Sequence, residues 1–159
     1  MKGETFIQAK RSEFEKKVFE NPNSSTYWLA LATHCLKEEG LESSLAILDK
    51  ALKTINSRQE NERTNIWKGM LNIIHYYGQE ETFDELFKKA ASACDRTDIT
   101  NHTVLLFNCE GHFDRSESYL NTLLKKSKDK LPVFIRLIEI ILQKQKYNLE
   151  KEIEQEDIS

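Results

Sequence analysis

The stretch "ALKTINSRQENERTNIWKGMLN", from Ala51 to Asn72, contains two amphipathic segments separated by a polar break. Ile55 is the last residue of one apolar stripe, residues 57–63 are all polar, and Trp67 is the first residue of the next stripe. Apolar residues that recur at i, i+3 and i+4 form one face of a helix. The stretch therefore predicts a helix, a short polar connection and a second helix that is anchored by a tryptophan.

The same arrangement recurs along the chain, where Gly40, Gly78 and Gly111 each end a helical stripe at intervals of 38 and 33 residues. A period in the mid-thirties is typical of helical hairpins that stack into a solenoid, because one hairpin alone cannot bury both of its apolar faces. No segment shows the alternation of a β-strand. We therefore expect an all-α solenoid over residues 1–147, followed by an acidic tail at 148–159.

Two later stripes extend the pattern toward the C-terminus. A weaker one comprises Leu105, Leu106 and Cys109, and we expect it to face the core. A stronger one follows a proline that suits a first helical turn, and we also expect it to be buried. Its members are Phe134, Leu137, Ile138, Ile141 and Leu142.

Composition narrows the class of protein. The 159 residues are enough for one domain, and 31% of them are charged. No apolar run approaches the ~18 residues of a membrane span. The net charge of −3 argues against a surface that wraps nucleic acid throughout. The three cysteines are odd in number and lie in apolar patterns, which favours a reducing compartment over a disulfide framework.

Three segments carry a family resemblance: "EFEKKVFENPNSSTYWLALA" (13–32), "ALKTINSRQENERTNIWKGMLN" (51–72) and "YGQEETFDELFKKA" (77–90). Together they resemble the C-terminal half-a-tetratricopeptide (HAT) domain of the ribosomal-RNA-processing protein 5 family, also called the programmed cell death protein 11 family. The resemblance extends over residues 13–146 and is strongest before residue 91.

The sequence departs from the family pattern at Leu31, Ile74 and Gln79, where the family carries a tyrosine, an acidic residue and a threonine. Family members also carry OB-fold RNA-binding modules before the HAT domain, and no such strand pattern occurs here. We expect either a fragment or a reduced protein.

The resemblance implies a right-handed α-solenoid of HAT/TPR-like hairpins and a nucleolar location. It implies a non-catalytic scaffold in pre-rRNA processing and small-subunit assembly. The implied partners are assembly factors, including a DEAD-box helicase, and pre-rRNA bound directly or indirectly. No cofactor, small-molecule substrate or membrane is implied. Two alternatives remain: a HAT scaffold of splicing or mRNA 3′-end cleavage, and a general TPR-like peptide-binding adaptor.

The candidate anchors of the repeats are two tryptophans, Trp28 and Trp67, together with the three glycines. Both tryptophans lie on apolar stripes, so core packing is favoured over the stacking of an RNA base. Four lysines form the main basic cluster: Lys125, Lys126, Lys128 and Lys130. One use is to offset the dipole of a helix C-terminus. The other is functional, either contact with phosphates or part of a nuclear-import signal, and the sequence favours neither the structural nor the functional use.

The sequence contains little that would indicate catalysis or metal binding. No phosphate-binding loop, nucleophile elbow or metal-binding histidine pair occurs. Cys109-x-x-His112 is the nearest approach to a zinc motif, and it lacks a second cysteine pair. We therefore expect no enzyme active site, no cofactor and no metal centre.

Overall fold

The computed structural model describes the backbone of residues 2–158 and the side chains of residues 9–158. Within that range the chain forms eight α-helices and no β-strand, so the predicted all-α class is confirmed. None of these helices combines the length and the apolar character needed to cross a membrane. The helices are α1 (Lys2–Glu20), α2 (Ser25–Glu38), α3 (Leu41–Thr54), α4 (Glu60–Tyr77), α5 (Glu80–Ala93), α6 (Arg96–Cys109), α7 (Phe113–Lys126) and α8 (Leu131–Ile158).

The helices group into two compact units that divide after Ala90. In the first unit α2 packs against α1, α3 and α4, and in the second α7 packs against both α6 and α8. Helix α8 continues unbroken across residues 147 and 148, so the acidic tail is helical as far as Ile158. The boundary expected at residue 147 remains a prediction.

Three successive helical hairpins, α2–α3, α4–α5 and α6–α7, bury the same positions. Adding 39 to a residue number in the first hairpin gives the corresponding position in the second, and adding a further 33 gives the position in the third. The side chains at these corresponding positions are buried in all three hairpins. In the first and third hairpins a serine donates its hydroxyl to a carbonyl twelve residues earlier: Ser44 to Ala32 O at 2.8 Å, and Ser116 to Val104 O at 3.4 Å. The corresponding buried sets are Ala32/Leu71/Val104, Cys35/Ile74/Phe107, Ser44/Phe83/Ser116, Leu48/Phe87/Leu120 and Ala51/Ala90/Leu123.

The three glycines that end the helical stripes adopt different backbone conformations. Gly40 (φ 101°) and Gly111 (φ 76°) lie in the region that L-residues with side chains avoid. Gly78 has a φ of −103° and needs glycine for another reason. A Cβ there would lie 2.8 Å from the carbonyl oxygen of Ile74, within the last turn of α4.

The core face expected for α6 is wrong. Leu105 is 59% exposed and Cys109 is exposed, whereas a different set of residues in this helix is buried. Two members of that set are threonines, which an apolar periodicity does not count. The buried set is Ile99, Thr100, Thr103, Val104 and Phe107.

The buried face expected for α8 is also wrong in most positions. Of the predicted stripe only Leu137 is buried, and it packs together with Val133 and Ile140. Phe134, Ile138, Ile141 and Leu142 are exposed. Helix α8 is apolar on two sides in its first half, and its own unit covers one of them.

Candidate functional site

The residues that carry the family resemblance meet where the first hairpin joins the next. The indole Nε1 of Trp28 donates to the carbonyl of Pro22 at 2.9 Å, so the tryptophan ring closes over the turn that precedes its own helix. Asn23 Oδ1 accepts a hydrogen bond from the backbone N–H of Asn56 at 2.8 Å. The loop before α2 is thereby tied to the loop after α3.

A second set of bonds ties the start of α2 to the first two turns of α4. The backbone N–H of Ser25 donates to Glu62 Oε2 at 2.5 Å, and Asn65 Nδ2 donates to Ser25 Oγ at 3.1 Å. Hydrogen bonds from the side chain and then the backbone of Ser25 lower the pKa of Glu62. A carboxylate at the N-terminus of a helix also satisfies N–H groups that have no partner within the helix.

Arg63 completes this joint from the far side. Its Nη1 donates to the carbonyl of Leu52 and, at 3.2 Å, to that of Ile55, which are free at the C-terminal end of α3. The polar segment 57–63 is therefore a structural connection between hairpins. The side chains of this joint that belong to the three resembling segments bond within the chain.

A groove in the first unit offers a candidate docking surface. It has a volume of about 780 Å³ and lies between α1, the start of α2, and α3. Its apolar lining includes Trp28, Ile47 and Phe19, and the side chain of Phe19 is 86% exposed. Lys16 and Lys50 stand at its polar margin.

An ion-pair network holds α1 beside the turn between α2 and α3, next to this groove. Arg11 donates through Nε to Glu15 at 2.8 Å and through Nη1 to Glu39. Both carboxylates hold the pKa of Arg11 above its usual value. Ser43, which donates to Glu39 at 2.5 Å, and Arg11 together lower the pKa of Glu39. The network positions the polar wall of the groove.

The four clustered lysines lie in the second unit. Lys125 and Lys126 occupy the last turn of α7, and Lys128 and Lys130 lie in the connection to α8. All four side chains are exposed, and none forms an ion pair with another described residue. The cluster therefore presents a concentrated positive charge, and its use as a phosphate contact remains a prediction.

The predicted anchors differ in their surroundings. Trp28 is 3% exposed, so its ring face is closed to a stacking base. Trp67 is half-buried, and its Nε1 is buried without a hydrogen-bond partner in the described part of the chain.

Among residues 9–158 no group of three His, Cys, Asp or Glu side chains is placed to hold a metal, and Cys109 and His112 are both exposed.

The fold and the joint define an all-α protein of repeated helical hairpins. No family model matches the chain. The chain is 29% identical over 140 residues to "rRNA biogenesis protein rrp5" of Schizosaccharomyces pombe, which is 88% of this chain and 8% of that protein. It is 32% identical over 139 residues to "rRNA biogenesis protein RRP5" of Arabidopsis thaliana and 27% identical over 132 residues to "Protein RRP5 homolog" of Homo sapiens, covering 82% and 83% of this chain and 7% of each relative.

On these matches the chain is a homologue of the RRP5 rRNA biogenesis proteins. The resemblance inferred from its three segments is confirmed. The chain spans 7–8% of the length of the curated relatives it matches.

Sequence reasoning missed two surfaces, the groove beside Phe19 and the exposed apolar side of α8. For the groove, the available signal was Phe19 itself, an aromatic residue off the stripe of Phe14 and Val18. For α8, the signal was an apolar run too dense for a single face. Its residues 131–142 contain only Arg136 and Glu139 as charged side chains.

Proposed function

We propose that this chain is the counterpart of the C-terminal HAT domain of the RRP5 proteins. In this proposal its hairpins stack as a right-handed α-solenoid, and it acts as a non-catalytic scaffold in pre-rRNA processing and small-subunit assembly in the nucleolus. The observation that carries the proposal is the match of 27–32% identity across most of the chain to proteins named for rRNA biogenesis. The joint at Asn23 and Asn56 supports it, since the matching motif residues bond to one another.

We place the docking of an assembly factor in the groove beside Phe19. An exposed aromatic ring over an apolar lining provides the kind of anchor around which interfaces concentrate their binding energy. Lys16 and Lys50 at the margin favour a partner segment that combines apolar anchors with acidic residues. Pre-rRNA contact through the four lysines is a separate part of the proposal, as is recruitment of a DEAD-box helicase.

The test is purification of the tagged protein with its associated proteins and pre-rRNA, compared with a Phe19→Glu variant. Phe19 is exposed, so the substitution leaves the core intact and places a charge in the groove. Leu105→Glu is the matched control, because Leu105 is also an exposed apolar side chain but lies in the other unit.

We expect Phe19→Glu to lose small-subunit assembly factors while Leu105→Glu retains them. Retention of those factors by Phe19→Glu would contradict the placement in the groove. Recovery of splicing or mRNA 3′-end factors by the unmodified protein would instead assign the chain to a different RNA-processing complex.

A further inference from the structure

The exposed side of α8 carries apolar residues at coiled-coil spacing. Leu131, Ile135, Ile138, Leu142 and Leu149 are all exposed. Their intervals are four, three and four residues, followed by seven, with Gln145 at the missing position. Alternating steps of four and three residues define the a and d positions of a heptad, the seam on which two helices pair.

This seam lies opposite the side of α8 that packs within its own unit. That inner side buries Val133, Leu137 and Ile140, and Tyr147 packs edge-on against the ring of Phe113 at 5.5 Å between centroids. On a heptad wheel these inner residues take the c and f positions, almost diametrically opposite a and d. A second helix can therefore lie along the seam without displacing any contact of the unit.

We propose that the seam binds α8 of a second copy of this chain in antiparallel orientation. An antiparallel pair sets each a residue against a d residue of its partner. The two-fold axis passes through Ile140, whose own side chain points inward. About this axis each a position of one copy lies against a d position of the other. Leu131 meets Leu149, Ile135 meets Gln145, and Ile138 meets Leu142 of the other copy. A closed two-fold interface requires this self-complementarity.

The charges of the second unit support the same arrangement. Residues 125–130 contain four lysines and Asp129, whereas residues 150–157 contain five acidic residues and Lys151. The axis that pairs the apolar positions also brings Lys130 toward Glu150, and Lys128 toward Glu152, of the other copy. Each end of the seam would then unite opposite charges, and a parallel pair would bring like charges together.

The same lysines cannot serve a second copy and a phosphate backbone at once. Each copy's acidic segment lies over the other's basic cluster, so the dimer neutralises the charge that would attract RNA. A polyanion and the second copy are therefore competitors for this end of α8. The proposal does not depend on the proposed function, because it follows from the helix alone.

Solution mass measured by light scattering tests the interface. We expect the unmodified protein at high micromolar concentration to show twice the chain mass of 18.6 kDa, and Leu142→Glu to show the single mass. Leu105→Glu is a closely matched control, since both leucines are 59% exposed, and it should remain dimeric. Circular dichroism checks that both variants are folded. A single mass for the unmodified protein would overturn the proposal.

Disulfide cross-linking tests the orientation, in a background with Cys94→Ser and Cys109→Ser. Leu131→Cys combined with Leu149→Cys should cross-link two chains under mild oxidation. Leu131→Cys alone should not, because an antiparallel pair separates the two copies of residue 131 by about 27 Å along the helix. Efficient cross-linking of the single variant would overturn the antiparallel arrangement.

Charge reversal separates a second copy from a different acidic partner. Lys128→Glu with Lys130→Glu should weaken the dimer. Adding Glu150→Lys and Glu152→Lys should restore it, because all four pairs then return with opposite sign. Failure of the fourfold variant to recover at least most of the lost association would contradict the predicted contact between these segments.

Discussion

Asn23 Oδ1 accepts a hydrogen bond from the backbone N–H of Asn56 across 2.8 Å, which links the loops at both ends of the first hairpin. Both asparagines belong to segments that resemble the RRP5 family. The bond therefore gives a physical reason for finding the two motifs at a fixed separation. A motif of this type holds the two ends of a hairpin together.

Replacing Asn23 tests this relationship. Asn23→Ala removes the acceptor and should lower the free energy of unfolding by about 1 kcal/mol, the net value of an ordinary hydrogen bond. Asn23→Asp keeps an oxygen in the same place and should cost less. Chemical denaturation of the three proteins measures the difference. Equal stability of Asn23→Ala and the unmodified protein would show that the bond contributes nothing.

The Ser25–Glu62 contact predicts a specific pH dependence. Because the folded-state pKa of Glu62 is lowered, the contact stabilises the protein fully above the unfolded value of about 4.3. That stabilisation is lost as the pH falls through the lower, folded pKa. Glu62→Gln should therefore be less stable than the unmodified protein near neutral pH, and the gap should narrow in acid. A gap that is constant with pH would assign the effect to packing alone.

The two tryptophans form a natural pair for comparison. Trp28→Phe removes a hydrogen bond to Pro22, whereas Trp67→Phe removes a buried N–H that has no partner in the described residues. Both substitutions delete the same atoms. The first should therefore be more destabilising by about 1 kcal/mol in the free energy of unfolding. A larger loss from Trp67→Phe would show that ring packing outweighs the hydrogen bond.

The hairpins around the tryptophans were predictable because apolar side chains, from alanine to tryptophan, occupy most core positions there. In α6, Thr100 and Thr103 take core positions, so the apolar pattern pointed to the wrong side of the helix. In α8 the pattern failed for the opposite reason. Both sides are apolar, and periodicity alone does not tell which side the rest of the chain covers. The groove could not be predicted from the sequence, because it depends on how three helices pack together.

The lysine cluster gives a prediction for RNA. Replacing Lys125, Lys126, Lys128 and Lys130 with alanine should weaken any binding to pre-rRNA fragments and flatten its dependence on salt. The physical reason is that each lost phosphate contact removes its share of released counterions. Binding isotherms at several salt concentrations measure the slope. An unchanged slope would show that these side chains make no phosphate contact.

Depletion from cells tests the proposed role of this chain in small-subunit ribosome assembly. The most direct measurement is the level of pre-rRNA species and of both mature subunit rRNAs after depletion of the protein from cells. Complementation with the unmodified sequence and with Phe19→Glu completes the experiment. We expect loss of small-subunit rRNA with accumulation of an early precursor, corrected by the unmodified sequence and not by Phe19→Glu. Normal levels of all rRNAs after complete depletion would contradict the proposed role.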